Sequence, residues 1–215
     1  MAAALPNGVI FSLGSGIGAA VAVTALTNAA PPVATATGHG YADNDIVLLT
    51  SGWGRINERV FKVDQLSADT FSLLGQDTSS TTVYPAGTGV GSAKKVTAWT
   101  QVTQVTGLTS SGGEMQFANY SFLEEDFERQ LPTQASAQSL TLTIADDPTL
   151  SGYTALKAAA ETRALTPLRA TLPNGSIILY AGILSFNETP TMTKNEVMTV
   201  TATFSLQGRP VRYAA

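Results

Sequence analysis

The stretch TLPNGSIILYAGILSF, Thr171 to Phe186, predicts a strand, a tight turn and a returning strand. Asn-Gly between two β-prone runs is the strongest short-range signal for a hairpin, because both turn residues must tolerate positive φ. We therefore place the structural turn at Asn174 and Gly175. The letters LPNG also occur at Leu5 to Gly8, but different residues follow them, which indicates two similar turns and not a duplicated domain.

Two further stretches alternate between apolar and polar residues, as half-buried strands do. In SLTLTIA, Ser139 to Ala145, the alternation turns Leu140, Leu142 and Ile144 inward. In EVMTVTATFSL, the last strand, the predicted inward set is Met198, Val200, Ala202, Phe204 and Leu206. A sheet with one buried face follows from both patterns.

A single helix is predicted between these strands. Asp147 can cap it, Pro148 suits its first turn, and apolar residues recur at helical spacing through LSGYTALKAAAETR. The stripe consists of Leu150, Tyr153, Leu156 and Ala160. The predicted fold class is mainly β: a β-sandwich or rolled sheet with one short α-helix.

The first half of the chain predicts a small inserted β module. Pro31-Pro32 interrupts an apolar N-terminal stretch, and short β runs separated by turns follow from Val33 to about Gly91. The predicted domains are therefore a β-sandwich formed by residues 1–32 and 92–215, and a module formed by residues 33–91.

Composition excludes several classes of function. Charged residues make up 13% of the 215 residues and the net charge is −4, which disfavours a nucleic-acid-binding protein. No cysteine is present, so disulfides and thiolate sites are excluded. No Lys or Arg precedes Arg55, so the apolar N-terminal stretch lacks the charged region of a secretory leader, and no run is long enough to predict a membrane span.

Candidate chemistry is sparse. Gly14 to Ala19 fits a dinucleotide-binding loop, but the helix, second parallel strand and acidic residue of such a unit do not follow, so a bend or bulge is predicted. His39 is the only histidine and no nucleophile elbow accompanies it. Asp43-Asn44-Asp45 lacks the spacing of a calcium loop and is typical of a turn. We predict no catalytic, metal or cofactor site and no enzyme activity.

One acidic segment, Ala118 to Ser136, has two interpretations. Acidic residues stand against a single Arg129, and apolar residues are interleaved with them. The acidic set is Glu124, Glu125, Asp126 and Glu128, and the apolar set is Phe122, Leu123, Phe127 and Leu131. A charge run of this kind is typical of a solvated turn, whereas the alternation is typical of a docking arm whose apolar residues need a partner surface.

Three stretches, taken in order, resemble the major tail tube protein of long-tailed, non-contractile bacteriophages of the lambda type. They are VTGLTSSGGEMQFANYSFLEEDFERQLP, the long stretch from Ser139 to Phe186, and NEVMTVTATFSLQGRP. The resemblance implies a subunit of the virion tail, made in the host bacterial cytoplasm, that forms hexameric rings stacked into a tube around a tape measure protein. It also implies tail terminator and distal tail proteins as partners, genomic DNA passing without specific binding, and no membrane partner. The resemblance also implies that the acidic segment belongs to a long β-hairpin arm, which would reach the neighbouring ring.

Two alternatives remain open at this point. The chain could be a related ring protein, of the secretion-system tube or tail-completion type. It could also be a carbohydrate-binding β-sandwich, for which Trp53, Trp99 and Tyr84 are the candidate aromatic residues.

Overall fold

The computed structural model describes residues 7–215, which form a curled, mainly β structure with one helix. Thirteen strands form one sheet in the order β2-β3-β6-β5-β4-β7-β1-β12-β13-β14-β11-β8, with β15 also paired to β13, and β9 and β10 form a separate two-stranded sheet. The predicted fold class is confirmed. The elements are β1 (Ile10–Val23), β2 (Ala25–Leu26), β3 (Val33–Thr35), β4 (Ile46–Ser51), β5 (Arg59–Ser67), β6 (Thr70–Leu73), β7 (Gly91–Val102), β8 (Val105–Ser111), β9 (Met115–Tyr120), β10 (Arg129–Ala135), β11 (Ser139–Ala145), α1 (Ser151–Thr162), β12 (Leu165–Thr171), β13 (Ile177–Thr191), β14 (Thr199–Leu206) and β15 (Val211–Tyr213).

The hairpin of β12 and β13 has a three-residue loop, residues 173–175, between the hydrogen-bonded residues Leu172 and Ser176. The Leu172 carbonyl accepts a hydrogen bond from Gly175 N–H at 2.9 Å, and Leu172 N–H donates to the Ser176 carbonyl at 2.9 Å. Gly175 has φ +82°, whereas Asn174 is not among the residues with positive φ. The expectation that both turn residues need positive φ is therefore wrong: the loop is a turn followed by one left-handed glycine, which is a common hairpin connection. The other LPNG turn begins at Leu5, outside the described residues.

The alternating strands pair with each other, and their apolar residues form one core. β11 and β14 are antiparallel with Leu142 opposite Ala202, and both residues are fully buried. Met198 is an exception to the predicted inward set, because it precedes β14 and is 44% exposed. Pairing between β13 and β14 is irregular between Asn187 and Thr191, so the period-2 pattern does not continue into Met198.

The glycine cluster of β1 lies inside a strand. The register between β1 and β7 shifts between Gly14 and Gly16, and again before Ile17 and before Ala20. A Cβ atom at Gly16 would lie 2.7 Å from the Thr97 hydroxyl oxygen, too close for any side chain. These glycines therefore permit β-bulges and a close approach of two strands, as expected for glycine inside a strand.

Helix α1 begins later than the capping prediction implied. Its N-cap is Leu150, which makes no side-chain capping bond. Asp147 instead accepts hydrogen bonds from the N–H and hydroxyl groups of Thr149, so the predicted cap is wrong and Asp147 closes a local turn. The stripe packs as expected through Tyr153 and Leu156, which are buried against the sheet.

Three clusters of buried apolar side chains stabilise the molecule. One lies among β3 to β6 and includes residues on either side of that region, such as Val23 and Val211. A second lies under α1, and a third contains Leu48 of β4 and Leu179 of β13. The hydrogen-bonded path is continuous from β4 through β7 to β1. The module boundaries at residues 33–91 remain a prediction.

Candidate assembly surfaces

The acidic segment forms the turn of a hairpin that stands apart from the main sheet. β9 and β10 pair with Tyr120 opposite Arg129 and Phe117 opposite Pro132, and neither strand pairs with another among residues 7–215. We call residues 115–135 the arm and residues 121–128 its tip. The tip contains Phe122, Leu123, Glu124, Glu125, Asp126, Phe127 and Glu128, whereas Arg129 and Leu131 lie on β10.

The tip is ordered by local contacts. Glu125 N–H donates to the Phe122 carbonyl at 3.0 Å, and the Glu125 carboxylate forms a 2.6 Å ion pair with Arg129. The rings of Tyr120 and Phe122 meet edge to face, with centroids 5.8 Å apart. Glu125 Oε2 is buried without a hydrogen-bond partner in the described chain. The ion pair neutralises the charge of Glu125. The other three acidic residues, Glu124, Asp126 and Glu128, are exposed to solvent.

Apolar side chains at the tip are not covered by other residues of the described chain, 7–215. Leu123 is fully exposed and Phe127 is 73% exposed. Phe122 and Leu131 are also largely exposed. Exposed apolar side chains of this size, grouped on one projection, make the tip a candidate interaction surface.

A second exposed apolar group lies at the connection between β13 and β14. Met192 is 73% exposed, and Val197 and Met198 are exposed beside it. The sequence reasoning missed this surface because it continued the last strand through Met198. The polar pair Lys194-Asn195 interrupts the alternation there, and Asn195 adopts φ +69°, so that pair was the available signal for a turn.

The ends of the main sheet are two strands with unpaired edges. Along the described chain β2 and β8 are the terminal strands of the hydrogen-bonded order. β8 is exposed over most of its length, whereas β2 has only two residues. An unpaired strand edge offers backbone N–H and C=O groups to a second molecule, so β8 is the stronger candidate for sheet extension.

Comparison with protein families decides the class. The family model described as phage tail tube protein matches residues 51–215, well over half of the chain. This chain belongs to the phage tail tube protein family. The match begins at the last residue of β4 and includes the arm, α1 and the hairpin of β12 and β13. The comparison with curated protein sequences gives no match.

Membership of the tail tube family assigns a structural role in the virion tail. Within the part of the chain that the structure describes, no cluster of three or more His, Asp or Glu side chains could hold a metal ion. In residues 7–215 no helix has the length and apolar character needed to cross a membrane. Asn174 and Gly175 lie in the turn between β12 and β13, where Asn174 Oδ1 accepts from Ser176 N–H at 3.1 Å.

His39 is a core residue of this tail tube protein. It is 95% buried, since only 5% of its surface is exposed, and its Nδ1 accepts from Tyr41 N–H at 2.9 Å. Nε2 therefore carries the proton and donates to the Ser67 carbonyl at 3.1 Å. The ring also packs against Tyr41 and Phe71. Both ring nitrogens are engaged by the backbone, so His39 shapes a turn.

The aromatic residues considered for sugar binding do not form an exposed platform. Trp53 and Tyr84 are buried and meet edge to face with centroids 5.2 Å apart. Trp53 Nε1 donates to the Pro85 carbonyl at 2.8 Å. Trp99 is half-buried beneath the guanidinium of Arg169. Stacking on a sugar requires an exposed ring face, which these residues do not share.

Proposed function

We propose that this tail tube protein forms hexameric rings that stack into a hollow conduit for phage DNA. A closed ring needs a head-to-tail interface between two different surfaces of each subunit, and stacking needs a further pair. The chain offers at least three candidate surfaces: the arm, the connection at Met192 to Met198, and the edge of β8. The tape measure protein would occupy the lumen during assembly, and tail terminator and distal tail proteins would bind the tube ends.

The uncovered arm is the observation that carries this proposal. Its apolar tip would be costly in a monomer, because each fully buried Leu or Phe side chain contributes roughly 1.5–3 kcal/mol relative to exposure. The hairpin is ordered by its own ladder and by the ion pair of Glu125 with Arg129. A pre-ordered arm loses less conformational entropy on docking than a disordered segment does. These features favour contact with a subunit of the neighbouring ring.

In this proposal, the unpaired edge of β8 makes the contacts between adjacent subunits of one ring. β8 can add a strand from an adjacent subunit by backbone hydrogen bonds, which gives a directional interface without strongly apolar side chains. Pairing would also cover the exposed edge that otherwise promotes aggregation. The net charge of −4 supports DNA passage without specific binding, because a conduit of the same sign as phosphate would not retain it.

Negative-stain electron microscopy of the purified chain over a range of concentrations tests the proposal, with light scattering on the same samples. The expected result is hollow sixfold rings at low concentration and tubes at high concentration. Particles that remain monomeric at every concentration, including in the presence of the tail-tip and tape measure proteins, would contradict it.

A variant with a polar tip separates stacking from ring formation. Leu123→Ser with Phe127→Ser removes the two most exposed apolar side chains of the tip. We expect this variant to form rings that do not stack. The matched control is Leu66→Ser, which removes an exposed leucine of β5 outside the arm. If the control loses tubes to the same extent, general surface hydrophobicity and not the arm explains stacking.

A further inference from the structure

A basic cleft lies at the base of the arm. Its volume is about 710 Å³, within the range of about 300–1,000 Å³ typical of ligand sites. The cleft brings together residues from the first half of the chain, from β10 and from the segment after β14. Its lining includes Arg55, Arg59, Tyr84, Met115, Gln134 and Arg209.

Arg59 is held in a fixed orientation. Its Nε donates to the Arg209 carbonyl at 3.0 Å, and its Nη1 donates to the Arg55 carbonyl at 3.0 Å and to Gln76 Oε1 at 3.1 Å. Gly208 makes this possible, because a Cβ there would lie 2.5 Å from Arg59 Cγ. Nη2 makes no hydrogen bond to residues 7–215, so two N–H donors remain for a ligand.

The cleft carries positive charge that the described chain does not neutralise. No Asp or Glu lines it, and the ion pairs of residues 7–215 involve Lys95, Arg129 and Lys157, none of them a cleft residue. Burial lowers the pKa of Arg59; Tyr84 and Tyr213 oppose this shift, and the nearby Arg209 adds a smaller lowering effect. An anion between these guanidinium groups would reduce their mutual repulsion. It would also accept hydrogen bonds in place of the water that the guanidinium groups lose on burial.

The acidic tip of the same chain cannot fill this cleft. Met115 and residues 133–135, at the base of the arm, form part of the cleft wall. β9 has six residues and so spans about 20 Å, which holds the tip away from the base. An acidic tip can therefore enter such a cleft only on another copy of the chain.

We propose that the cleft of Arg55, Arg59 and Arg209 receives the arm tip of a second copy, with Glu124, Asp126 and Glu128 facing the three arginines. The charges match in number and sign, and Met115 and Pro210 offer exposed apolar surface to the tip. Charge pairing of this kind sets orientation and register more than raw affinity. The inference rests on the proposed stacking, for which it names the receiving site.

Cysteine cross-linking of full-length chains tests the docking directly. Because the natural chain has no cysteine, every cross-link reports an introduced pair. One chain carries Leu123→Cys at the tip. The other carries Gly54→Cys at the cleft, where a Cβ meets no atom within 4 Å and all three arginines are retained. The two chains carry tags of different mass, are mixed, and are treated with a short bis-maleimide.

The control replaces Gly54→Cys by Leu66→Cys, an exposed position of β5 outside the cleft. We expect the cleft pair to cross-link with roughly tenfold higher yield than the control pair. The yield should fall when salt is raised to about 1 M, because the Debye length shortens to about 3 Å. Equal yields for the cleft pair and the control pair would overturn the docking.

A charge exchange provides the second test. Arg55→Glu with Arg209→Glu in the chain that carries Gly54→Cys should lower the cross-linking yield to the control value, while Arg59 keeps its hydrogen bonds to the backbone carbonyls of residues 55 and 209. Adding Glu124→Lys, Asp126→Lys and Glu128→Lys to the chain that carries Leu123→Cys should restore it. Thermal melting by circular dichroism checks that each variant is folded. No restoration in folded variants would overturn the charge pairing.

The two proposals fail in different ways. If tubes form but the cleft pair cross-links only at the control level, the proposed function stands and the proposed docking is wrong. If the cleft pair cross-links specifically but no rings or tubes form, the docking is supported and the proposed function is contradicted.

Discussion

The hydroxyl group of Tyr213 accepts a hydrogen bond from the backbone N–H of Lys62 across 2.9 Å, although the two residues are 151 positions apart. The same hydroxyl donates to the Leu74 carbonyl at 3.0 Å. The Lys62 ammonium also lies 5.8 Å from the centre of the Tyr213 ring. The Tyr213 side chain therefore joins β15 to β5 and to Leu74, the residue that follows β6.

Tyr213→Phe should lower the free energy of unfolding by roughly 1–3 kcal/mol, because it leaves a partly buried N–H and a partly buried carbonyl without their partner. Urea denaturation measures the change. Tyr120→Phe on β9 is the matched control. The Tyr120 hydroxyl makes no hydrogen bond within residues 7–215, so this substitution should leave stability unchanged. Equal stability of Tyr213→Phe and the natural chain would contradict the role of this hydroxyl.

Alkaline pH should destabilise the fold in a defined window. Burial raises the pKa of Tyr213 and of Tyr41 from 10.0 to about 12. Between these values the unfolded chain has lost protons that the folded chain retains, so the free energy of unfolding falls as pH rises. The contribution is fully present below pH 10 and lost by about pH 12. Urea denaturation at pH 9 to 12 measures the slope, which Tyr213→Phe should make shallower; a flat profile would contradict it.

The turn at Asn174 and Gly175 should not tolerate β-branched residues. Asn174→Val with Gly175→Val loses the bond to Ser176 N–H and places a Cβ at φ +82°. We expect a loss of about 2 kcal/mol or more, and loss of assembly with the fold. The control for stability is Gly54→Ala, where φ is not left-handed and space is open. Normal tubes from the double variant would contradict this account of the turn.

Gly152→Ala should destabilise the protein although alanine favours helices. The gain in helix propensity is about 1 kcal/mol. The new Cβ would lie 2.7 Å from the Gln101 carbonyl oxygen and 2.8 Å from Val102 Cα, both backbone atoms of β7. Overpacking costs about 1–3 kcal/mol, so the net change in Tm should be downward. A raised Tm would show that α1 can move away from β7 without loss.

Substitutions on either side of the β14 boundary should differ sharply. Phe204→Ala removes a fully buried ring and should cost about 3–5 kcal/mol. Met198→Ala removes an exposed side chain and should change stability by less than about 0.5 kcal/mol. Chemical denaturation of both variants checks the boundary, and a large cost at Met198 would place that residue back in the core.

Structural features that depend only on residues close together in the sequence could be predicted. The alternation of Leu140, Leu142 and Ile144 matches the burial of β11 because a strand turns successive side chains to opposite faces whatever its partner. The glycine cluster of β1 was expected to bend or bulge, and its register with β7 shifts there. The prediction that Met198 faces inward was wrong, because the end of a strand is set by its pairing partner. The pairing with β13 is interrupted nearby.

The sequence by itself determined the mainly β class, the strands of the second half and the presence of an acidic segment with interleaved apolar residues. These features follow from side-chain periodicity and turn chemistry, which act within a few residues. Only the tertiary structure decided that the segment is an arm apart from the sheet, and that Arg59 meets the Arg209 carbonyl 150 positions away. Such contacts depend on which strands pair, because the curled sheet brings distant residues together at the base of the arm.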